Sequence, residues 1–349
     1  MESAFLKVAS ISKKFGAIEA LRDVSFEVGS DEMVVVLGPT GAGKTTLLRA
    51  LAGLEIPESG DIQMNGHSIT RLPPAERDVA LVFQNFSLYP SWTVRENLTF
   101  PLRAPGRELS EAEIGKQVDW AADILKITPL LDRPSTRLSG GEMQRVAIGR
   151  AIVRRPKLFL MDEPLTNLDA KLRESLRVEL IRLRRELNIP MLYVTHDQVE
   201  ALSMADRIIV LSEGEVLQSG TSQLIYESPV TPQVARLLGS PGINLIEVTS
   251  RDGMWMSANG MAILPSSADQ QETMTLGVRP ENLSPIGGAT PATIRVVENM
   301  GPSKILLVDW ADHQIHIMIS STEVYSPGDT IHPKIEANRF NLWPSDTNS

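Results

Sequence analysis

Residues Leu37-Gly38-Pro39-Thr40-Gly41-Ala42-Gly43-Lys44-Thr45-Thr46 decide the fold of the N-terminal part of this chain. The stretch matches the pattern G-x-x-x-x-G-K-[ST]. It lies between an apolar, β-branched run, Met33–Leu37, and a run of helix-forming residues, Thr46–Ala52. A strand, a glycine-rich turn and a helix are the context in which this pattern forms a phosphate-binding loop. We therefore predict that the segment from Gly38 to Thr46 binds the phosphates of a nucleotide.

The residues of this phosphate loop have separate predicted roles. Its glycines let the backbone turn closely enough to direct N–H groups at phosphate oxygens, and the helix N-terminus adds a partial positive charge. Lys44 supplies a full charge to the β- and γ-phosphates, and the Thr45 hydroxyl is placed to ligate Mg²⁺. The predicted nucleotide contacts in the loop are Gly38, Pro39, Thr40, Gly41, Ala42, Gly43, Lys44, Thr45 and Thr46.

The composition is that of a globular protein, and 349 residues suggest about two domains. The net charge of −9 argues against a nucleic-acid-binding protein, which would normally carry a basic face. The chain has no cysteine, which excludes disulfides and any cysteine-based metal or redox site. No apolar run approaches the roughly 18 residues needed to span a bilayer. We therefore expect any role in a membrane process to be exerted from the surface, through a partner.

Strand-like and helix-like segments alternate after the phosphate loop, which predicts an α/β fold with a parallel sheet. Polar or charged side chains follow the ends of the predicted strands, at Gln84, Asp162, Glu163 and His196. Ligands of such sheets bind at the carboxyl ends of the strands. We therefore predict that these four side chains lie together near the phosphate loop.

The pattern changes near Leu238–Gly242. From residue 243 to 340, short alternating segments separated by Gly, Pro and Asn turns predict a small β-barrel. Its predicted strands are Ile243–Val248, Thr275–Val278, Ala292–Val297, Ile305–Val308, Gln314–Ile319 and Thr330–Ile335. The sequence thus predicts one domain over residues 1–238 and a second over residues 239–349.

The segment Leu138-Ser139-Gly140-Gly141-Glu142-Met143-Gln144-Arg145 is the most specific pattern in the chain. Ser-Gly-Gly at its start is typical of a helix cap with exposed N–H groups, which predicts a second anion site apart from the phosphate loop. The heptad LSGGEMQ resembles the signature motif of ABC-transporter ATPases. The resemblance implies that this segment contacts ATP held by a partner subunit, through Ser139, Gly140, Gly141 and Gln144.

Further segments follow the motif order of that family. Phe15 stands where the family, usually with Tyr, stacks a ring on adenine; a role in the core is the alternative. Gln84 resembles the Q-loop glutamine, which reaches Mg²⁺ and the attacking water. Leu158–Pro164 resembles the Walker B motif, and Leu165–Asp169 resembles the D-loop, with Thr166 where the family often has Ser. His196 resembles the switch histidine, which hydrogen-bonds the γ-phosphate.

The resemblance implies ATP and Mg²⁺ as cofactors. An Asp at a strand end, here Asp162, is suited to hold Mg²⁺ through water, and the following Glu163 is suited to polarise the attacking water as a general base. The implied catalytic residues are Lys44, Gln84, Glu163 and His196. The implied Mg²⁺ ligands are Thr45, Gln84 and Asp162.

The implied fold is an ABC ATPase domain followed by a C-terminal all-β, OB-like (TOBE-type) barrel. The ATPase domain would combine a RecA-like core, an antiparallel β subdomain and a helical subdomain at about 83–137. The implied assembly is a homodimer of ATPase subunits at the cytoplasmic face of the inner membrane, with two permease subunits and, indirectly, a solute-binding protein. A groove beside Gln84 would receive a permease helix. Trp92 is expected either in that groove or in the core.

Several segments resemble the carbohydrate-importer branch, of which the maltose importer ATPase is the familiar member. They are Asn65-Gly66, Leu88–Pro90, Ala170–Arg173, Thr195–Ala201, Gly239–Pro241 and Gly277–Glu281. In that branch the C-terminal domain has regulatory and dimerisation roles. Where relatives often end in Phe-Asp, this chain has Phe340-Asn341. The expected solute is a sugar or sugar derivative; glycerol phosphate, a polyamine and an inorganic anion are the alternatives.

Other functional classes fit the sequence less well. An oligonucleotide-binding barrel is disfavoured, because residues 240–349 hold 6 Lys and Arg against 12 Asp and Glu. A DNA-repair ABC ATPase would show sustained heptads, and a translation-type member would carry two ATPase cassettes. A phosphate-loop kinase or GTPase would lack the signature heptad.

Overall fold

The computed structural model describes residues 4–266, 268 and 272–345, and the chain divides into two compact units, Met1–Ser222 and Gln223–Ser349. The strands of the first unit are β1 (Leu6–Phe15), β2 (Ile18–Val28), β3 (Met33–Leu37), β4 (Ser59–Met64), β5 (His67–Ser68), β6 (Val79–Val82), β7 (Leu158–Asp162), β8 (Met191–Thr195), β9 (Arg207–Ser212) and β10 (Glu215–Gly220). Its helices are α1 (Lys44–Ala52), α2 (Val94–Thr99), α3 (Glu111–Ile124), α4 (Gly140–Ile152), α5 (Ala170–Leu187) and α6 (Gln198–Met204).

A mostly parallel sheet forms the centre of the first unit. Its strand order is β10-β9-β3-β8-β7-β6, and every pairing from β9 to β6 is parallel. All residues of β3 and β8 are buried, as expected for strands covered on both faces. Parallel pairing brings the carboxyl ends of β3, β7 and β8 to one edge, where the phosphate loop, Asp162 and His196 lie. The predicted α/β fold is confirmed.

A second, antiparallel sheet of order β2-β1-β4-β5 packs in the same unit. Side chains from this sheet, such as Val24 and Ile62, share one buried hydrophobic cluster with Val34 of β3 and Leu47 of α1. This continuous apolar packing fixes the strand before the phosphate loop and the helix after it, because close-packed interiors leave little freedom for rigid-body shifts.

The C-terminal end of α1 is held by Arg77, a residue that no sequence motif singles out. Its guanidinium is fully buried and donates to the carbonyl oxygens of Ala50 (2.7 Å) and Leu51 (3.0 Å). A cation at this position satisfies helix carbonyls that lack intrahelical partners and complements the helix dipole. Burial lowers the pKa of Arg77 from its usual value. The contact anchors the helix whose opposite end forms the phosphate loop.

The implied helical subdomain, at about 83–137, contains α2, α3 and short 3-10 turns at Phe100–Arg103 and Thr128–Leu130. Helix α3 begins with a capping box. Ser110 caps this helix by accepting from the Glu113 backbone N–H, and the Glu113 carboxylate accepts from the Ser110 N–H in return.

The second unit opens with α7 (Ser222–Glu227) and α8 (Pro232–Arg236) and is otherwise built from strands. They are β11 (Asn244–Arg251), β12 (Met254–Met256), β13 (Ala262–Pro265), β14 (Thr273–Val278), β15 (Leu283–Ser284), β16 (Ala292–Asn299), β17 (Ser303–Trp310), β18 (His313–Ser320), β19 (Thr330–Ile331), β20 (Lys334–Ile335) and β21 (Asn341–Pro344). The larger sheets have the orders β13-β12-β11-β14-β21 and β18-β17-β16-β19. An all-β region thus follows residue 243, as predicted.

Two details of the second unit differ from the sequence prediction. The single strand predicted over Thr330–Ile335 is two strands, β19 and β20, which pair with different partners. Pro333 separates them because proline cannot donate a ladder hydrogen bond. The compact unit also begins before residue 239, since Trp343 donates through Nε1 to the carbonyl of Pro229 (3.0 Å). A functional boundary at 238/239 stays a prediction. In the described part of the chain, we find no helix with the length and apolarity to cross a membrane.

Candidate nucleotide-binding site

An open cleft of about 640 Å³ lies at the carboxyl edge of the parallel sheet. Four separate stretches of chain contribute predicted site residues to its wall: the phosphate loop, the segment after β6, the end of β7 and the loop after β8. The predicted residues that line it are Thr40, Gly41, Gly43, Lys44, Thr45, Thr46, Gln84, Glu163 and His196. The fold therefore brings together most of the residues that the sequence motifs placed around one nucleotide.

At two positions of the phosphate loop there is no space for a Cβ atom, so glycine is required. A Cβ atom at Gly38 would lie 2.1 Å from the Leu211 carbonyl oxygen, and one at Gly43 would lie 2.3 Å from that of Ala20. Gly43 also adopts φ 100°, in the left-handed region. Within the described residues no side chain caps α1, and its first turn contains no acidic residue. The N–H groups at this helix end therefore face no competing carboxylate of the first turn, which favours a bound anion.

Lys44 is almost completely buried at the base of the cleft, with 6% of its surface exposed. Its Nζ donates to the carbonyl oxygens of Gly38 and Pro39, each at 2.9 Å, and lies 3.4 Å from Oε1 of Glu163. A buried ammonium needs such partners, because an unpaired charge away from water is strongly unfavourable. The loop carbonyls thus hold the Lys44 charge at the place where a phosphate would enter.

The Glu163 carboxylate is the point where the cleft-lining segments meet. Besides Lys44, it contacts Nδ1 of His196 (2.9 Å, to Oε2) and accepts from the Thr166 hydroxyl (3.3 Å). The backbone of Glu163 has φ 43°, a left-handed conformation that costs a non-glycine residue roughly 1–3 kcal/mol. Its N–H donates to the Val194 carbonyl (3.0 Å), which ties the strained residue to β8. This arrangement directs the carboxylate into the cleft, as a general base requires.

Asp162 and Thr45 form an oxygen pair beside the cleft. The Thr45 hydroxyl donates to Oδ1 of Asp162 at 3.2 Å. Burial raises the pKa of Asp162, because the charged form loses hydration, and the Thr45 hydrogen bond opposes that rise. Mg²⁺ prefers oxygen ligands, usually one or two from the protein together with waters and substrate phosphates. A hydroxyl and a carboxylate at this distance fit such a cation, and Gln84 lines the same cleft.

Phe15 lies at the end of β1, outside the set of residues that line the cleft. Its ring is 44% exposed, and Nζ of Lys13 lies 5.1 Å from the ring centroid. Its strand partner Ile18 does line the cleft and is 70% exposed. Adenine stacking on Phe15 therefore stays a prediction. Phe15 is not a fully buried core residue.

The signature segment is placed away from the cleft. Ser139 is exposed and caps α4 through a reciprocal pair of bonds: it accepts from the Glu142 N–H (3.4 Å), and Glu142 Oε2 accepts from the Ser139 N–H (2.7 Å). Among the described residues that line the cleft, none belongs to Leu138–Arg145. Within one subunit, this segment and the phosphate loop do not form a joint site.

Gln144 differs in orientation from Ser139, the exposed residue that caps the same helix. Its side chain is fully buried, and in the described part of the chain its amide atoms have no hydrogen-bond partner. A helix turns about 100° per residue, so Gln144 points to the opposite side of α4 from Glu142. The side chain is therefore turned into the interior of its own subunit, and a contact between Gln144 and the nucleotide of a partner stays a prediction.

Some cleft residues were not singled out by the sequence motifs as contacts: Ile18, Glu19, Ala20, Arg22, Thr166 and Glu213. Thr166 lies within the D-loop motif, but the motif alone assigned no contact to this residue. Ile18–Arg22 begins β2, whose alternating pattern predicts which side chains face solvent. It does not predict which loop lies opposite them.

Comparison with known proteins assigns the class. Residues 21–166 match the family model described as ABC transporter. The chain is 45% identical over 304 residues to a protein of Ruegeria pomeroyi. The aligned residues make up 87% of this chain and 86% of that protein. The chain therefore belongs to the ABC transporter family, and within it to the ATP-binding, ATP-hydrolysing subunits of importers, which act with permease subunits.

The particular relatives share one description. The Ruegeria protein is named sn-glycerol-3-phosphate import ATP-binding protein, as is a relative from Salmonella typhimurium, 40% identical over 353 residues and covering 99% of both chains. The chain is also similar to a solved structure of a dimeric ATP-binding cassette in a post-hydrolysis state, with ADP and phosphate bound. The match covers 62% of this chain and 98% of that chain, at 31% identity and a TM-score of 0.56. The predicted family, ATPase fold and nucleotide are confirmed.

Proposed function

We propose that this chain hydrolyses ATP·Mg²⁺ at the interface of a homodimer and thereby drives two permease subunits at the cytoplasmic face of the inner membrane. One observation carries this proposal. Lys44 and His196 converge on the Glu163 carboxylate in a single cleft, whereas Ser139, which begins the signature helix, is exposed and is not among the residues that line that cleft. A solute-binding protein would deliver the solute to the permeases.

Each side chain of the cleft has one task in this proposal. Lys44 holds the β- and γ-phosphates, and Thr45, Asp162 and Gln84 hold Mg²⁺, which neutralises phosphate charge when bound. Glu163 accepts a proton from the attacking water, which displaces ADP from the γ-phosphorus in line. His196, already 2.9 Å from Glu163, donates a hydrogen bond to the γ-phosphate. Catalysis is then mainly positioning and electrostatic stabilisation.

The second subunit completes the site. Ser139 and the glycines after it present the N-terminus of α4, a 13-residue helix, to the γ-phosphate held by the first subunit. ATP therefore binds the closed dimer better than the open one, and this differential affinity shifts the equilibrium towards closure. Hydrolysis removes the bridging γ-phosphate and returns the permeases to their other state.

A groove on the helical side of the first unit is the proposed permease contact. The cavity is about 870 Å³ and is lined by residues that include Tyr89, Phe100 and Arg150. The Tyr89 and Trp92 rings lie 4.3 Å apart, and Phe100 lies 5.0 Å from Tyr89. Trp92 is half-buried in this aromatic group. Arg150 donates to the Ser87 carbonyl (2.6 Å), which fixes the segment after Gln84 against α4. Movement of a permease helix here would be transmitted to Gln84.

The proposed solute is sn-glycerol 3-phosphate or a related sugar derivative, because the relatives named above import that compound. The test is uptake of labelled solute in a bacterial strain that lacks its own sn-glycerol-3-phosphate ATP-binding subunit. Supplying this chain should restore uptake, and supplying Lys44→Ala should not. Restoration of maltose uptake in the corresponding maltose-importer strain, without restoration of sn-glycerol 3-phosphate uptake, would overturn the assignment.

A further inference from the structure

A buried hydrogen-bonded group lies directly behind His196. Glu200 of α6 is 2% exposed, and Tyr193 and Thr195 of β8 are fully buried. The Tyr193 hydroxyl (2.9 Å) and the Thr195 hydroxyl (2.6 Å) both donate to Oε2 of Glu200. Burial raises the pKa of Glu200, and these two donors oppose the rise. A polar group of this kind is not needed to attach a short helix to a sheet, since apolar side chains would pack there at less desolvation cost.

The same group fixes the backbone on both sides of His196. The Thr195 hydroxyl also accepts from the Asp197 N–H (2.9 Å), so one side chain spans the histidine. Asp197 in turn caps α6 by accepting from the Val199 N–H (2.7 Å), and Nη1 of Arg173 lies 3.4 Å from its other carboxylate oxygen. The His196 side chain itself is 47% exposed and reaches Glu163 across the cleft. The backbone of His196 is thus fixed on both sides, while its ring extends into the cleft towards Glu163.

We propose that Thr195 and Glu200 are positioning residues that fix the direction of His196 towards the γ-phosphate. This inference rests on the function proposed above for His196. Hydrogen bonds are directional, whereas apolar packing tolerates sliding, so two short bonds to one buried oxygen set the loop position closely. Hydrolysis is sensitive to such placement, because an error of about 1 Å in a reacting or stabilising group can reduce the rate about 100-fold.

The first experiment measures single-turnover hydrolysis of radiolabelled ATP by the full-length chain. Thr195→Val keeps the shape of the side chain and removes its hydroxyl, and we expect about a tenfold lower rate with ATP affinity within about twofold. Thr195→Ser restores the hydroxyl and should recover most of the rate. Ser203→Ala is the control, because it removes an exposed hydroxyl from α6, the helix that carries Glu200.

The decisive readout is a double-mutant cycle with His196→Ala. If Thr195 acts through His196, Thr195→Val should cause no further loss in the His196→Ala background. A full tenfold further loss in that background would overturn the inference. Glu200→Gln supplies a second cycle if Thr195→Val does not fold, with the same two outcomes. A parent rate for His196→Ala alone would instead contradict the function proposed for His196, so the two failures are distinguishable.

Discussion

Two helix N-termini in this chain are suited to bind phosphate, and they differ in how they are capped. Helix α1 begins at Lys44 behind a left-handed Gly43, without a side-chain cap among the described residues, and it opens into the cleft. Helix α4 begins behind Ser139, whose hydroxyl and backbone are both bonded to Glu142 on the surface. The N–H groups of the first end therefore face the cleft, whereas the second end is closed by its own capping pair, Ser139 and Glu142.

This difference indicates how the two halves are used. The α1 end can satisfy its N–H groups by binding a phosphate, whereas in the proposed dimer the α4 end would exchange one bond, that of Ser139, for a contact with the partner's nucleotide. Helix α3 shows that a capping box is not by itself a functional feature, because Ser110 and Glu113 form the same pair there. The α3 cap therefore supplies matched controls for the α4 cap.

The largest expected effect is that of Ser139→Arg. A bulky cation on the surface that meets the partner's nucleotide should hold the dimer open and reduce hydrolysis below detection. ATP binding to the isolated subunit, measured by calorimetry, should change by less than about twofold. Ser110→Arg loses a comparable cap, worth about 1 kcal/mol, and should stay active. Loss of ATP binding in Ser139→Arg, or equal inactivity of Ser110→Arg, would contradict the two-subunit site.

Glu163→Gln is expected to lower the rate of hydrolysis by about 100- to 10,000-fold, the usual contribution of a general base. ATP should still bind, because the Lys44 charge and the phosphate loop remain, and the closed dimer should accumulate. Glu174→Gln, which neutralises an exposed carboxylate on α5, is the control. Steady-state phosphate release measures both, and a parent rate for Glu163→Gln would show that another group activates the water.

Phe15→Ala should have a smaller effect, confined to binding. Stacking of an aromatic ring on a base is worth about 1–3 kcal/mol, and the exposed position of Phe15 favours the lower end, about a fivefold weaker affinity for ATP. Phe15→Tyr should bind ATP as the parent does. Unchanged affinity in Phe15→Ala, followed by weaker binding in Ile18→Ala, would move the adenine contact to the neighbouring cleft wall.

The smallest expected effect is on stability. Glu142→Ala and Glu113→Ala each remove half of a capping box and should lower the free energy of unfolding slightly, as measured by urea titration. The Ser139 N–H bond lowers the pKa of Glu142. The α4 cap therefore contributes fully above the usual carboxyl pKa and is lost only as the pH falls through the lowered value. A loss of the Glu142 contribution on raising the pH would contradict this sign.

Contiguous patterns in the sequence were enough to predict much of the site and the sheet around it. Strand β3 has the bounds of the apolar run Met33–Leu37, and the phosphate loop lies between a strand and a helix as its pattern requires. These features depend on residues close together in the chain, so their physical causes are local.

Features that depend on distant contacts could not be predicted in the same way. Arg77 reaches α1 across the fold, and its burial follows from carbonyl groups 26 and 27 residues away in sequence. Strand β12 has three residues, too few for an alternating pattern to be recognised. The interior position of Gln144 follows from helix rotation against the core, and the left-handed conformation of Glu163 from its bond to β8.

The central claim is that the α4 end of one subunit closes over the phosphate loop of another, and thiol protection tests it directly. The chain has no cysteine, so Ser139→Cys in the Glu163→Gln background introduces a unique and exposed thiol. We predict that ATP·Mg²⁺ slows its alkylation by a maleimide about tenfold or more, that it does not protect Ser110→Cys, and that adding Lys44→Ala removes the protection. An alkylation rate at position 139 that ATP·Mg²⁺ leaves unchanged, or slows no more than at position 110, would contradict the claim.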